Sequence, residues 1–413
     1  MEPRTSFPKD RIRVVLLEGV HERARAMLAA EGFSVESHKG ALEGKALRDA
    51  AEGAHVLGIR SKTQIGPEVL EGAGRLLALG CFCIGTNQVD LAAARGRGVP
   101  VFNSPFGNTR SVAELTIAEV VCLHRRVMEK SAGLHRGVWD KSASGAHEVR
   151  GRTLGIIGYG HIGAQVSVLA EAMGMRVLFF DVMPKLPLGN ARACRSLDEL
   201  LEASDVVTIH VPETGGTKGM IGASQLKRMA RGSCLINNAR GSVVDVPALA
   251  AALREGHLAG AALDVFPKEP AKNDEGFESE LCGLANVILT PHIGGSTAEA
   301  QASIGEDVAG KLIRFVNVGA TTGAVNVPEV DLPEQPGRPG RAHRILHFHR
   351  NVPGVLSRLH GLIAEMGANV SAEVLGTRED VGYVVLEVDP TDGERLASAI
   401  REVPETIRVR TLW

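Results

Sequence analysis

The run Gly158-Tyr159-Gly160-His161-Ile162-Gly163 carries the most specific chemical signal in this sequence. It follows the apolar stretch 154–157 and opens a helix-like run over 164–173. Between a strand and a helix, the first glycine allows a tight turn and the second lets backbone approach a pyrophosphate. The third permits close helix–strand contact. The helix N-terminus adds positive potential for the phosphates. Asp181 ends the next apolar stretch, eighteen residues beyond Gly163, where an acid can grip an adenosine ribose diol. An acid at that place repels a 2′-phosphate, so the pattern points to NAD rather than NADP.

Three further polar residues follow successive apolar runs. Arg240 stands in Asn-Asn-Ala-Arg-Gly, Glu269 in Asp-Val-Phe-Pro-Lys-Glu-Pro, and His292 in Thr-Pro-His-Ile-Gly-Gly. The C-terminal ends of parallel strands are where doubly wound sheets bind ligands. Hydride transfer between a nicotinamide and a 2-hydroxy acid needs a cation to hold the carboxylate or polarise the carbonyl. It also needs a proton donor–acceptor active near neutral pH, for which His is the natural choice. A carboxylate beside that His favours the imidazolium and raises its pKa. Each residue alone has an ordinary structural use, as a surface ion pair, a solvated loop acid or a helix cap. Three at equivalent strand ends after a dinucleotide fingerprint point to a shared task.

Groups placed in this way require parallel sheets. From 12 to 103, apolar runs (14–17, 56–59, 76–83, 99–102) alternate with helix-like stretches (21–31, 67–73, 89–97), a βα repeat. One long helix is predicted over 111–139. A second series offers six strands, 153–157, 177–181, 206–211, 234–237, 260–265 and 287–290, in a doubly wound pattern. A helix over 297–318 would return the chain to the first domain. Residues 328–341 hold four prolines and two glycines and read as a linker. Beyond it, strands at 345–350, 370–376, 381–388 and 407–412 and helices at 354–366 and 394–402 give the order βαββαβ, a ferredoxin-like sandwich. The predicted class is α/β: a substrate-binding domain (1–107 with 297–330), a Rossmann-type NAD-binding domain (108–296), the linker and an appended module (342–413).

Composition agrees with a globular enzyme. The 413 residues include 48 acidic and 46 basic side chains, a net charge of −2, which argues against a nucleic-acid binder working through a basic field. No run approaches the length of a membrane span, and the first eleven residues lack the apolar core of a signal peptide. The cysteines at 81, 83, 122, 194, 234 and 282 have no metal-ligand spacing. Reduced thiols in a cytoplasmic protein are expected, with no metal.

The chain resembles the D-isomer-specific 2-hydroxyacid dehydrogenases, in the shorter form that ends in an ACT domain. The resemblance rests on Ile59-Arg60-Ser61, on Gly80-Cys81-Phe82-Cys83-Ile84-Gly85-Thr86-Asn87 and on Asn108-Thr109-Arg110-Ser111-Val112-Ala113-Glu114. It extends to His135-Arg136-Gly137-Val138-Trp139, to the stretches 155–163 and 291–296, and to His349-Arg350-Asn351-Val352-Pro353-Gly354-Val355-Leu356. It covers nearly all of the chain after residue 12. It implies NAD-dependent oxidation of 3-phospho-D-glycerate to 3-phosphohydroxypyruvate, the first step of serine synthesis. Glyoxylate or hydroxypyruvate reduction is the same-fold alternative, and 2-oxoglutarate reduction a side activity. By motif, Arg240 binds substrate, His292 is the acid/base and Glu269 its partner. Arg60, Ser61 and Asn108 would meet the substrate phosphate, with Lys39 and Lys141 as further basic candidates. Gly158, Gly160, His161, Ile162, Gly163, Asp181, His210, Pro212, Asn238, Ala239, Asp264, Gly294 and Gly295, with Arg240 and His292, would line the dinucleotide cleft. In the ACT domain, His349, Asn351 and Asn369 would bind L-serine as effector. Arg350 stands between the first two, where an acid is expected. A homotetramer is implied.

Overall fold

The structure, a computed structural model, describes residues 7–270, 275–333, 343–389, 391 and 393–412. It divides into two compact units, one built from 1–107 and 301–413 and the other from 108–300.

The first unit begins with a five-stranded parallel sheet. Its strands are β1 (Arg13–Leu16), β2 (Ser34–Ser37), β3 (Val56–Ile59), β4 (Ala78–Cys81) and β5 (Val101–Asn103), in the order β2-β1-β3-β4-β5. The connecting helices are α1 (Glu22–Ala30), α2 (Gly44–Gly53), α3 (Pro67–Gly72) and α4 (Leu91–Gly96). Every residue of β3 and β4 is buried, which is why both read as unbroken apolar runs. β2 carries no such signal: Ser-Val-Glu-Ser lies at the sheet edge and pairs with β1 alone. α4 starts where the Asp90 carboxylate accepts from the Ala93 N–H at 2.8 Å, and α3 has Pro67 in its first turn.

The second unit opens with α5 (Thr109–Arg125) and α6 (Val127–His135). The single helix predicted over 111–139 is thus two. Arg126 turns left-handed (φ 53°, ψ 36°), and its guanidinium holds the break by donating to Glu129 at 2.8 Å and to the Ser144 carbonyl at 2.8 Å. Then follow β6 (Thr153–Ile157), α7 (His161–Ala172), β7 (Arg176–Phe180), β8 (Arg192–Ala193), α8 (Leu197–Ala203), β9 (Val206–Ile209), α9 (Ala223–Arg228), β10 (Cys234–Asn237), α10 (Val246–Arg254), β11 (Gly260–Leu263) and β12 (Val287–Leu289). The sheet is parallel throughout, ordered β12-β11-β10-β9-β6-β7-β8. Six strands were predicted; the seventh, β8, is a two-residue exposed edge with no apolar content to mark it. The chain reverses direction across the sheet between β6 and β9, so the glycine-rich turn after β6 sits at the switch point where such sheets open a crevice.

α11 (Ala298–Val318) leads back to the first unit, whose tail contains β13 (His343–Arg350), α12 (Val355–Glu365), β14 (Val370–Arg378), β15 (Val381–Val388), α13 (Gly393–Arg401) and β16 (Thr406–Leu412). These four strands form an antiparallel sheet, β14-β15-β13-β16. Its two central strands, β13 and β15, are buried on both faces. Ile345, Val384 and Leu386 pack with Leu359 and Ile363 of α12 and with Leu396 and Ile400 of α13. The alternate positions Leu346, Phe348, Tyr383 and Val385 share a core with Val14, Phe82 and Phe315. The sandwich therefore docks directly on the first sheet's domain. Tyr383 donates to the Gly319 carbonyl at 2.6 Å, and the buried Arg344, paired with Glu387, donates to the carbonyls of Val318 (3.1 Å) and Leu332 (2.9 Å). The predicted linker lies partly outside the described residues. Its described part is packed: Val330 and Leu332 are buried, and the Thr321 hydroxyl donates to Pro328 and accepts from Val330 N–H.

Candidate active site

Backbone geometry explains each glycine of the 158–163 turn. Gly158 is left-handed (φ 90°), and a Cβ there would stand 2.5 Å from the His210 carbonyl oxygen. A Cβ at Gly163 would lie 2.2 Å from the Gly158 oxygen. Around Gly160 nothing lies within 4 Å, so this glycine is required by no neighbour in the protein. It leaves open space at the N-terminus of α7, where Gly160 is the N-cap and supplies no side-chain cap to the first turn. His161 and Ile162 form that turn. An open, uncapped helix start beside two sterically compelled glycines fits a pyrophosphate.

Asp181, at the end of β7, accepts from the Tyr159 N–H at 2.8 Å and the Met183 N–H at 2.9 Å, so it also fixes the turn it faces. His210 follows β9. Its Nε2 meets the Thr208 hydroxyl at 3.0 Å, its Nδ1 is buried without a partner, and burial pulls its pKa down to about 3. The ring is neutral. Pro212 is exposed two residues on.

After β10, Asn237 shapes the next turn by accepting from the Ala239 N–H (3.2 Å) and donating to the Arg240 carbonyl (3.0 Å). Asn238 points inward and donates to Glu119 at 2.7 Å; burial first, then the charge of Asp264, raises that carboxyl to about 7 against the hydrogen bond. Arg240 donates to the Ala239 carbonyl at 2.7 Å and remains partly exposed. Gly241 lies flush on the next loop, since a Cβ there would be 1.9 Å from the Phe266 carbonyl carbon. That contact joins the Arg240 turn to the loop of Glu269, whose Oε1 accepts from the Phe266 N–H at 3.1 Å.

Glu269 Oε2 and His292 Nδ1 are 2.8 Å apart. The hydrogen bond to Glu269 raises the His292 pKa against the effect of burial, and the charges of Glu269 and Asp264 add to the rise while Arg240 opposes it. Burial acts to raise Glu269, yet the bonds from His292 and Phe266 N–H and the charges of His292 and Arg240 hold it below the usual range. Arg240, Glu269 and His292 are thus electrostatically coupled, as their strand-end positions require.

Asp264, expected to line the dinucleotide cleft, also positions His292. Asp264 is buried, with Oδ1 accepting from the Thr290 hydroxyl (2.6 Å) and Ile293 N–H (2.8 Å), and Oδ2 accepting from Gly294 N–H (2.7 Å). The bonds clamp the 290–294 loop and hold His292 in the left-handed region at φ 55°. Gly295 packs on Asn108, whose Oδ1 is buried without a partner at the start of α5.

Within the first unit, an acid not singled out in the sequence has a similar task. Glu18 is buried and left-handed (φ 63°), and its carboxylate accepts from the backbone N–H groups of Arg60 (3.2 Å), Lys62 (3.0 Å) and Thr63 (2.8 Å). It thereby fixes the loop that presents Arg60 and Ser61. The Lys39 loop is tied to the same turn, since Glu18 N–H donates to Gly40 and Gly19 N–H to His38. The readable sign was an acid followed by glycine at a strand end, Leu17-Glu18-Gly19. Lys141 is exposed in the segment after α6.

The effector candidates do not meet within one chain. His349 and Asn351 lie at the C-terminal end of β13, where Arg350 pairs with Val381, itself opposite Arg378. Asn369 precedes Val370, which pairs with Val388 opposite His343, at the other end of the sheet. Seven strand residues separate the two ends, about 24 Å. His349 is buried with Nε2 unpartnered, and the Asn351 amide donates to the Glu379 carbonyl at 3.1 Å. Among the described residues, no three His, Cys, Asp or Glu side chains stand together as a metal site, and no helix is long and apolar enough to cross a membrane.

Comparison with known proteins adds names to this geometry. Residues 117–294 match the D-isomer specific 2-hydroxyacid dehydrogenase NAD binding domain, and 345–408 match an AHAS small subunit-like ACT domain. D-3-phosphoglycerate dehydrogenase of Escherichia coli is 52% identical over 413 residues, covering 99% of this chain and 100% of that protein. The D-3-phosphoglycerate dehydrogenase of Dictyostelium discoideum is 50% identical over 100% of both chains. Among solved structures, a D-lactate dehydrogenase from Aquifex aeolicus complexed with NAD and lactic acid superposes with TM-score 0.67 at 28% identity. It covers 76% of this chain and 100% of its own.

Proposed function

The chain belongs to the D-3-phosphoglycerate dehydrogenases, within the D-isomer specific 2-hydroxyacid dehydrogenases, and from that premise we propose that it oxidises the C2 hydroxyl of 3-phospho-D-glycerate to the ketone of 3-phosphohydroxypyruvate, opening L-serine synthesis. The observation that carries the reading is the His292–Glu269 pair, coupled to Arg240 and set downstream of the glycine turn, in a chain alike over its full length to enzymes of that name. NAD, when bound, would supply the hydride acceptor for the hydrogen leaving C2. Gly158, Gly160, His161, Ile162 and Gly163 would hold its pyrophosphate and Asp181 its ribose. His210, Pro212, Asn238, Ala239, Asp264, Gly294 and Gly295 would line the rest of the cleft.

His292 Nδ1 is tied to Glu269, so Nε2 receives the hydroxyl proton during oxidation and returns it to the carbonyl oxygen during reduction. Arg240 holds the substrate carboxylate and polarises the oxygen at C2. Arg60, Ser61 and Asn108, with Lys39 and Lys141, would receive the phosphate; the Arg60 loop fixed by Glu18 supports that assignment. The test is NADH formation from 3-phospho-D-glycerate and NAD, beside glyoxylate, hydroxypyruvate and 2-oxoglutarate assayed as NADH oxidation. His292→Ala should cost about 10²- to 10⁴-fold in turnover with NADH binding intact. A variant within about tenfold of the parent removes His292 from the chemistry.

The ACT tail supports regulation by a small ligand, for which the reading is L-serine. Because His349 and Asn351 lie at one end of the sheet and Asn369 at the other, a site using all three needs a second copy of the chain. β14 is the open edge of that sheet, while β16, through Arg408 and the Leu76 carbonyl, faces the first domain. Pairing of β14 edges would bring opposite ends together and fits the expected homotetramer. Serine at such a seam should lower kcat with little change in KM, and Asn351→Ala should abolish the effect. Unchanged serine sensitivity in that variant would leave the tail a purely structural role. Six cysteine thiols, none in a disulfide among the described residues, suit the cytoplasm.

A further inference from the structure

A cavity of about 800 Å³ opens in the first unit where the end of the ACT sheet meets the α3–α4 edge of the neighbouring sheet domain. Its lining includes three arginines, Arg97, Arg350 and Arg408. Among the described residues, none of the three is paired with a carboxylate. Arg97 donates to the Glu71 carbonyl at 3.0 Å, and Arg408 donates to the Leu76 carbonyl. Arg350 is exposed, and its contacts here are those of its backbone, with Glu405 and Val352. Each guanidinium has five N–H donors, so most point to no acceptor in the protein.

The carboxylates nearby are committed elsewhere. Asp380 lines the cavity but binds Arg95 at 2.9 Å, and Glu379 binds the same Arg95 at 2.6 Å. Glu405 is paired with Arg358 at 2.7 Å. Counting Arg95 with its two acids, the lining and its border carry a net charge of +2: four arginines against two carboxylates. The wall is rigid. Gly98, left-handed at φ 63°, lets the end of α4 lie against β13 and β16, since a Cβ there would stand 3.1 Å from Phe348 Cβ and 3.2 Å from Arg408 Cβ. Burial and the charge of Arg97 both lower the Arg408 pKa, as expected for cations left without a counterion.

We propose that this cavity is a binding site for a phosphate-type oxyanion, bridging the ACT sheet and the substrate-binding domain and created by Arg350. Forked guanidinium donors match the tetrahedral oxygens of phosphate, and charge-assisted bonds of this kind are the strong ones. The anion is inorganic phosphate or the phosphate of a small metabolite, including a second molecule of 3-phospho-D-glycerate.

Isothermal titration of the full-length enzyme with inorganic phosphate tests the site, using Arg350→Ala and Arg97→Ala beside the parent. Neither residue belongs to the catalytic or serine-binding set, so kcat and KM for 3-phospho-D-glycerate should stay near the parent's. The expected result is a phosphate-binding component in the parent that weakens at least about tenfold in each variant. Phosphate should also raise the thermal midpoint of the parent more than that of either variant. Titration with 3-phospho-D-glycerate separates the sources: two sites per chain falling to one in the variants assigns the cavity to phosphorylated metabolites, and one site in all three assigns it to free phosphate. Phosphate isotherms that superimpose for the parent and both variants overturn the proposal.

Discussion

Asp264→Asn isolates the device that holds His292 in place. The carboxylate accepts three bonds, two at Oδ1 from Thr290 and Ile293 and one at Oδ2 from Gly294 N–H. An amide that keeps its oxygen at the Oδ1 position turns its NH2 toward the Gly294 N–H, donor against donor. One hydrogen bond to a charged group is then lost, about 1.5–3 kcal/mol. The loop also carries the left-handed backbone of His292, which relaxes once the clamp loosens. Restoring the catalytic arrangement must then be driven in each turnover. At about 1.4 kcal/mol per tenfold, kcat/KM for 3-phospho-D-glycerate should fall roughly 10- to 150-fold. NADH titration by fluorescence should show a much smaller change, because the loss falls on the position of His292. A kcat/KM within about threefold of the parent refutes the clamp. A loss carried wholly by NADH affinity would leave Asp264 its place in the cofactor cleft and remove it from the positioning of His292.

Two further outcomes follow from steric and hydrogen-bonding detail. Gly160→Ala meets no atom within 4 Å, so the thermal midpoint of the free protein should hold while NADH affinity drops at least about tenfold; Gly158→Ala, facing the His210 oxygen at 2.5 Å, should lower both. Unchanged NADH affinity in Gly160→Ala would move the cofactor away from this turn. Glu18→Gln keeps only part of the clamp on the Arg60 loop and should raise KM for 3-phospho-D-glycerate about tenfold, with NADH affinity unaltered; an unaltered KM would separate that loop from the phosphate.

The legible parts were those in which local sequence and tertiary context agree. β3, β6 and β10 could be read because fully buried parallel strands are continuous apolar runs. Arg240, Glu269 and His292 could be read because each follows such a run. β2 and β8 could not, since edge strands paired on one side need no apolar residues. The break at Arg126 was hidden because its support, Glu129 and the Ser144 carbonyl, is side-chain chemistry that leaves helical periodicity intact. Glu18, and the clamping role of Asp264, were opaque for another reason. A buried carboxylate that fixes a loop is identified by the N–H groups converging on it, and those come from loops 29 to 45 residues away along the chain. The docking of the ACT sheet was half visible, in strands apolar on both faces, but the surface receiving the second face was not.

The central claim is that Glu269 holds His292 as a proton donor matched to the reaction, and the pH dependence of 3-phosphohydroxypyruvate reduction tests it most directly. Reduction needs the protonated imidazole, so activity falls as pH rises through the His292 pKa. That pKa is raised first by the hydrogen bond to Glu269. In Glu269→Gln the alkaline limb of kcat/KM should therefore move to lower pH, and the acid limb of the oxidation reaction should move the same way. An alkaline limb that stays in place, or moves to higher pH, would contradict the assignment of the pair.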